Sequence, residues 1–381
     1  MPTEESVYRV VPEAMDMCFL SCTNRKERFK MRGFRAVWTG LLFWIGFLVS
    51  SSVQGQDSQP AYLDSETAGP DFSVQGEYLG LIGDVYPLGA QIISHGSGTF
   101  EGILFGGGLP GAGWDERTRF HLRGQRTRDV VMLEGVHGER LMFINPNIKG
   151  TIEKNIFQGQ SLCFQNRVSD PLFSLHKVTR QSPTLGSVPP EGACVLFDGT
   201  DTDAWVDGQI VENKLLRWGT RTKQHFGDHM FHLEYRTPYM PTAKGMQRGN
   251  SGVYVQNIWE IQIVDSFGWN EENRKYERLS IFGQAGGLHE MIGPRINMSF
   301  PPLSWQTFDV EFVSARFDDK GNKMKSAMIT VYHNGILIHD RYVIPSFAPG
   351  RDPVDERDKG PLYLQDHKNP VVYRNIWLVE R

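Results

Sequence analysis

Paired cysteines, long apolar runs and an excess of positive charge are what this sequence has least of. Its 381 residues hold four cysteines, Cys18, Cys22, Cys163 and Cys194, too few by themselves for the disulfide framework that staples small secreted modules. Lys and Arg total 40 against 44 Asp and Glu, a net charge of −4, which gives no overall electrostatic footprint for nucleic acid. Over residues 194–381 there is no Rossmann glycine pattern, HExxH, paired CxxC or GxSxG, so the common nucleotide, zincin and serine-hydrolase readings have no support there. Hydrophobic residues at 40% and charged residues at 22% exclude a polytopic membrane protein and a disordered chain.

What the sequence has in quantity is punctuation. Forty glycines and 21 prolines imply frequent turns and few long helices, so the chain reads as all-β. Its length excludes a single small module and suits two domains or three.

The N-terminal part reads as targeting rather than fold. Arg32 and Arg35 precede an apolar stretch from Ala36 to Val49, and Val53 and Gly55 stand at the −3 and −1 positions of a small-residue cleavage site, the order of a secretory signal peptide. The apolar stretch is about 14 residues, shorter than the roughly 20 of a spanning helix; an uncleaved anchor is the second reading. Glu4, Glu5, Glu13 and Asp16 do not suit a signal n-region, which points to translation starting at Met31. Residues 1–55 are thus the signal region, with the peptide at 31–55, and the protein is expected in the periplasm or outside a bacterial cell. Without residues 1–55 the chain carries 33 basic and 39 acidic residues, net −6, and retains Cys163 and Cys194, which either form a disulfide in an oxidising compartment or remain two separate thiols.

Residues 56–73 are polar and read as a linker. Residues 74–180 read as a small β-rich domain: Ala90–Ser94 and Thr99–Phe105 flank a hairpin turn at His95–Gly98, and His121–Arg123 and Val130–Leu133 flank another. The glycine-rich run Phe105–Asp115 lacks both a following Lys-Ser/Thr and a helix start, so it is expected to be a surface loop rather than a phosphate cradle. Arg117, Arg119, Arg123, Arg126 and Arg128 are expected on a solvated strand face. No chemistry is assigned to this domain. Residues 181–193 are a Pro/Gly connector, and 194–381 form a second domain. Its strands are expected at Met230–Tyr235, Gly252–Val255, Trp259–Val264, Thr307–Val313, Ala327–His333 and Val371–Val379, the pattern of a β-sandwich or jelly roll.

The segment Gly249–Gly268 is the most informative. Val253, Val255, Trp259, Ile261 and Ile263 alternate with Tyr254, Gln256, Glu260 and Gln262. All five apolar residues share one face only if Val255 opposes Trp259, through an odd-length connection centred on Asn257. The even alternative would set Glu260 and Gln262 beside the valines, and burying an unpaired carboxylate is costly. The odd register predicts Tyr254, Glu260 and Gln262 together on the opposite face with Asp265 at the strand end. Groups that both donate and accept hydrogen bonds suit hydroxyl-rich ligands such as sugars; a merely solvated face is the alternative.

Leu196–Trp205 (LFDGTDTDAW), Gly249–Gln256, Trp259–Gly268, Asn334-Gly335 and Pro361–Leu378 occur in the order found in the 3-keto-disaccharide hydrolase domain family, which this region resembles over about 190 residues. The resemblance implies a concanavalin A-like jelly roll, a carbohydrate-processing activity on an oxidised glycoside or disaccharide, and secretion; it implies no role for the first domain. The family's NSG motif falls on Asn250-Ser251-Gly252, its E-x-Q-x-x-D motif on Glu260, Gln262 and Asp265, and its LQDH motif on Leu364–His367. His289 stands where relatives often carry an aromatic residue after the glycine pair, and Gln256 where many carry arginine.

A ketone at C3 of a glycoside acidifies the C2 hydrogen, and the C1 oxygen then leaves β to the carbanion, followed by hydration. On this reading Glu260 or Asp265 is the base, and His289 or His367 is the acid or oxyanion partner. Asn250, Tyr254, Gln256, Gln262, Gln365 and Asp366 bind the sugar. No cofactor and no metal is called for, and a membrane enters only through an uncleaved signal anchor. A two-carboxylate glycosidase and a non-catalytic lectin-like module are the competing readings. His225, His229 and His232 have strand-like surroundings, in which their spacing would not converge them on a metal. Asp366 either orients the His367 imidazole or serves the turn. Trp205 and Trp377 are expected in the core, whereas Trp269 and Trp305 are candidates for sugar stacking. The charged stretch around Asp352, Asp355, Glu356 and Asp358 is expected to be solvated.

Overall fold

The computed structural model describes residues 60–138, 147–161, 172–268, 281–345 and 356–381. The signal region, Cys163, Trp269, Asp352 and Asp355 lie outside the described residues. Among the described residues no helix is long and apolar enough to cross a membrane.

Strand and turn dominate, as the glycine content implies. β1 (Gly76–Ile82), β2 (Tyr86–Gly96), β3 (Thr99–Gly106), β4 (Arg119–Thr127), β5 (Val130–Gly138), β6 (Ile148–Glu153), β7 (Ile156–Ser161) and β8 (Leu172–Val178) pair antiparallel in sequence order, and β8 returns to β1 to close a barrel. Closure leaves no free sheet edge. Alternation fills the interior with Tyr78, Leu88, Phe100, Leu122, Phe157 and Phe173, while Arg123, Glu134 and Lys149 face solvent. The turn expected at His95–Gly98 joins β2 to β3, with Ser97 and Gly98 at φ 53° and 73°.

The remaining strands form two main antiparallel sheets. The smaller contains β10 (Trp205–Val206), β13 (Thr220–Thr222), β15 (Ser251–Val255), β16 (Trp259–Ile263) and β22 (Tyr363–Leu364), in the order β10-β13-β22-β15-β16. The larger contains β11 (Ile210–Val211), β12 (Leu215–Arg217), β14 (His229–Arg236), β17 (Trp305–Val313), β20 (Met328–His333), β21 (Ile336–Val343) and β23 (Val372–Glu380), with β9 (Cys194–Phe197) joined to β23. A two-stranded ribbon, β18 (Arg316–Phe317) and β19 (Lys323–Lys325), stands apart. Val253, Trp259 and Ile261 of the smaller sheet and Phe231, Phe308 and Val331 of the larger share one core, so the two sheets are stacked layers. Trp205 and Trp377 are buried, as expected. Asn334 and Gly335, both at positive φ, make the tight turn between β20 and β21.

Two segments differ from the sequence expectation because they find partners. In the stretch read as a linker, Tyr62 pairs with Tyr239 and a short helix forms at Pro70–Val74, whose Asp71 carboxylate accepts the Gly98 N–H and pairs with Arg126 at 2.8 Å. The glycine-rich run is not a free surface loop. Leu109 within it is buried, Arg180 donates to the Pro110 carbonyl at 2.7 Å, and Gly111 lies so close to Met298 that a Cβ there would stand 2.7 Å from its sulfur.

The connector is likewise fastened down. The Thr184 hydroxyl donates to Asp309, the Gly186 N–H donates to Glu234, and the Ser187 carbonyl accepts from Asn375. His232 sits fully buried between Asp309 (2.6 Å) and Glu234 (3.6 Å), its ring stacked on Trp377. His229, three residues earlier, packs among the rings of Phe226, Phe231 and Phe312. The two imidazoles therefore serve different environments, and His225 is exposed. Trp305 lies beneath the guanidinium groups of Arg374 and Arg236.

Candidate functional site

The β15–β16 hairpin has the odd register: Val255 opposes Trp259 and Tyr254 opposes Glu260. Its three-residue turn works because Gln256 and Asn257 adopt left-handed φ values of 55° and 58°. Val253, Val255, Trp259, Ile261 and Ile263 all point into the core. On the other face the Tyr254 hydroxyl donates to Glu260 Oε2 at 2.7 Å, and Gln365 Nε2 donates to the Tyr254 oxygen at 3.1 Å. Gly252 makes room for the carboxylate, since a Cβ at that position would stand 2.4 Å from Glu260 Oε1. This gives a physical reason for glycine in the Asn250-Ser251-Gly252 run. The Tyr363 ring packs 5.5 Å from that of Tyr254.

The segment 284–292 then lays itself along the open edge of β16. Gln262 N–H donates to the Gly287 carbonyl, Gly286 N–H to the Gln262 carbonyl and His289 N–H to the Glu260 carbonyl. Both glycines are sterically required: a Cβ at Gly287 would lie 2.5 Å from the Phe282 carbonyl oxygen, and Gly286 has φ 82° with Ile338 against it. The result brings His289 Nδ1 to 3.2 Å from Gln262 Oε1 and 3.9 Å from Glu260 Oε2. Its Nε2 is 3.8 Å from the exposed Glu290 carboxylate. Glu260 is almost fully buried, while the His289 side chain keeps 30% of its surface open to solvent. A carboxylate and an imidazole in this relation can exchange protons with a bound molecule and stabilise the charge that forms.

Behind them lies a satisfied polar layer. Asn250 Nδ2 donates to the Met246 carbonyl, and Gln262 Nε2 donates to Asn250 Oδ1 at 2.8 Å and to the Ser251 and Ile263 carbonyls. Ser251 bonds the Tyr373 hydroxyl at 2.6 Å and donates to the Gln365 carbonyl. Burial pushes the Tyr373 phenol well above its ordinary value, so that group acts as a neutral hydrogen-bonding partner.

Several residues expected at the site are employed elsewhere. Asp265 forms a buried ion pair with Arg248 at 2.6 Å and accepts the Phe267 N–H, so its carboxylate holds the strand end rather than facing a ligand. The Gln256 amide donates to Ser314 and to the Asp358 carbonyl at the turn end of the hairpin. Asp366 caps its own loop by accepting the Lys368 N–H at 2.7 Å, the turn role rather than that of an imidazole orienter. His367 is exposed in the same loop, where its carbonyl accepts from Asn369. Asn250 and Gln262 commit their amide nitrogens internally, which makes them supports instead of sugar clamps. The sequence reading missed Arg248, Tyr363 and Tyr373. Only Tyr363 had a legible signal, its nearness to the Leu364–His367 motif; the other two owe their roles to pairings distant in sequence.

Three crystal structures from Parabacteroides distasonis ATCC 8503, each described as a presumptive glycosyl hydrolase, are similar to half of this chain. The first shares 26% identity over 50% of this chain and 85% of its own, with a TM-score of 0.45. The second shares 19% over 50% and 94%, TM-score 0.34, and the third 19% over 50% and 99%, TM-score 0.36. No curated protein matches the chain. Residues 192–379, which contain both stacked sheets and the Glu260–His289 group, match a 3-keto-alpha-glucoside-1,2-lyase-like domain. That match identifies residues 192–379 as a 3-keto-alpha-glucoside-1,2-lyase-like domain.

Proposed function

We propose that this protein cleaves 3-keto-glycosides by removing the C2 proton and expelling the C1 substituent, with water adding afterwards. The observation that carries the reading is the pairing of Glu260 with His289 at 3.9 Å beside the Tyr254–Gln365 hydrogen bond, on one sheet face of a family domain so named. The C2–H electron pair moves into the C3 carbonyl as an enolate; its return breaks the C1–O bond and leaves a C1=C2 double bond conjugated to the ketone. One proton leaves C2 and one reaches the departing oxygen, so a proton-exchanging pair is sufficient. Ordinary two-carboxylate hydrolysis would need a second carboxylate turned to the sugar; the motif's second carboxylate, Asp265, is paired with Arg248, and Glu290, 3.8 Å from His289 Nε2, is the other carboxylate beside the group. The concanavalin A-like jelly-roll topology and secretion through residues 31–55 belong to the same proposal.

The test is turnover of a 3-keto-glucoside alongside its unoxidised parent. Release of the aglycone from the keto sugar alone, abolished in Glu260→Gln, is the expected result. Equal rates in Glu260→Gln and the wild type would sink the assignment, and binding of unoxidised oligosaccharides without turnover would favour a lectin-like module.

A further inference from the structure

We propose that Gln262 is a positioning residue that locks His289 as its Nδ1–H tautomer, so that Nε2 meets the substrate as the proton acceptor. The role rests on the keto-glycoside reading above; the tautomer itself does not.

A chain of hydrogen bonds leads to His289, and the backbone fixes its direction at one end. Such a network fixes which way each amide and imidazole is turned. The Met246 carbonyl can only accept, so the Asn250 atom 2.8 Å from it is the amide nitrogen. Asn250 Oδ1 therefore faces Gln262. The Gln262 atom that meets it also meets the carbonyls of Ser251 and Ile263, both at 2.9 Å. Three acceptors surround one atom, which must be Nε2. A reversed amide would press an oxygen against three oxygens in a site where Gln262 has no exposed surface. Gln262 Oε1 is thereby turned to His289 Nδ1 at 3.2 Å, and an oxygen without a hydrogen requires the ring nitrogen to carry one. In the neutral ring the proton is then on Nδ1 and the lone pair on Nε2.

The backbone reinforces this aim. The His289 N–H to Glu260 carbonyl bond and the close-packed Gly286-Gly287 pair hold the ring on the edge of β16. Two carboxylates flank it, Glu260 on the Nδ1 side and Glu290 on the Nε2 side. In the reaction the C2–H bond breaks and the Nε2–H bond forms, while the electron pair goes to the C3 oxygen. Expulsion of the C1 oxygen restores the ketone. The imidazolium passes its proton to that oxygen, directly or through one water, and the Nδ1–H form returns.

The experiment is long-range 1H–15N correlation of the histidine-labelled full chain at alkaline pH, with His289→Gln identifying the resonances. The expected result is a protonated Nδ1 and an unprotonated Nε2 for His289 in the wild type, reverting in Gln262→Leu to the Nε2–H form that free imidazole favours in water. Retained signals from the buried His229 and His333 report that the variant is folded. An Nε2–H tautomer in the wild type overturns the proposal, and so does an unchanged Nδ1–H form in folded Gln262→Leu. If that variant does not fold, the wild-type spectrum alone decides. In turnover of a 3-keto-glucoside, Gln262→Leu is expected to lower kcat by about 10²-fold while KM stays within about twofold, the signature of a misplaced proton. An Nδ1–H tautomer in a wild type that turns over no keto sugar would refute the keto-glycoside reading and leave the tautomer lock standing. The opposite combination would refute the lock alone.

Discussion

Two hairpins with the same alternation end in opposite places. In the barrel, β4 and β5 send Phe120, Leu122, Val131 and Leu133 inward and leave Arg123 and Glu134 in water. In the second region, β15 and β16 send valines, isoleucines and a tryptophan inward, yet Glu260 and Gln262 on the reverse face are also buried. What differs is the flank: the first polar face is solvated, whereas beside the second the 284–292 segment pairs along the edge of β16 and Gln365 bonds Tyr254. Burying a carboxylate costs several kcal/mol unless hydrogen bonds compensate, and an apolar residue would serve the fold without that cost. The enclosed polar face is where the proposed chemistry is placed, and the solvated one carries no such group.

The strongest way to break this contrast is to remove its central charge. Glu260→Gln is expected to cut turnover of a 3-keto-glucoside by about 10²–10⁴-fold while leaving the unfolding midpoint close to that of the wild type. Full activity would reduce Glu260 to a buried structural group. Asp265→Ala should act on the other axis. Removing one partner of the buried Asp265–Arg248 pair is expected to cost about 3–5 kcal/mol in denaturant unfolding, and a stability loss under 1 kcal/mol would return Asp265 to the list of candidate bases.

Gly287→Ala sharpens the comparison by shifting the segment that flanks β16 without changing a polar side chain. The new Cβ must move the Phe282 carbonyl or the strand edge, so about 1–3 kcal/mol of stability is expected to be lost. Activity should fall further than that loss explains, because His289 rides on the same segment. Wild-type kinetics at a temperature where the variant is folded would show that His289 does not depend on this edge.

How much of this was legible follows from where each constraint comes from. The odd hairpin register could be read because one face of alternating residues had to be apolar throughout, a rule local to 13 residues from Ser251 to Ile263. Strand positions followed for the same reason. The barrel's closure was not legible, since β1–β8 pairing joins residues about 100 apart and nothing local marks it. The role of Asp265 was misread because Arg248, its partner, lies 17 residues away with no periodic relation to it. Gln256 looked like a ligand group by parity; the left-handed turn rotates it toward Ser314. His289 was legible as a candidate because it follows a glycine pair where relatives often carry an aromatic residue, and the edge pairing that brings it to Glu260 appears only in three dimensions.

Histidines on β14 carry the contrast into pH dependence. Burial alone would lower His232, but its hydrogen bonds to Asp309 and Glu234 and their charges outweigh that and raise it above the ordinary 6.5. Its stabilisation is therefore complete below pH about 6.5 and fades as pH rises through the raised folded value. His229, among aromatic rings, is pushed down by burial to about 4, so its contribution is present above pH about 6.5 and fades as pH falls toward 4. His232→Asn should accordingly destabilise more at pH 6 than at pH 9, and His229→Asn more at pH 9 than at pH 4, as read from thermal midpoints. Equal losses at both pH values for His232→Asn would mean the carboxylate pair does not hold a proton there.

The smallest effect is expected on the solvated barrel face. Glu134 and Lys149 approach to 3.2 Å with most of both side chains in water, and such pairs contribute between about 0 and 1 kcal/mol because water and salt screen them. Glu134→Gln should leave the unfolding free energy within about 0.5 kcal/mol and keto-glucoside turnover within experimental error. The same carboxylate-to-amide change at residue 260 is expected to lower turnover because there the carboxylate is enclosed and stands beside an imidazole. A turnover loss in Glu134→Gln comparable to that in Glu260→Gln would mean that burial does not separate the two faces, and that the barrel takes part in the reaction.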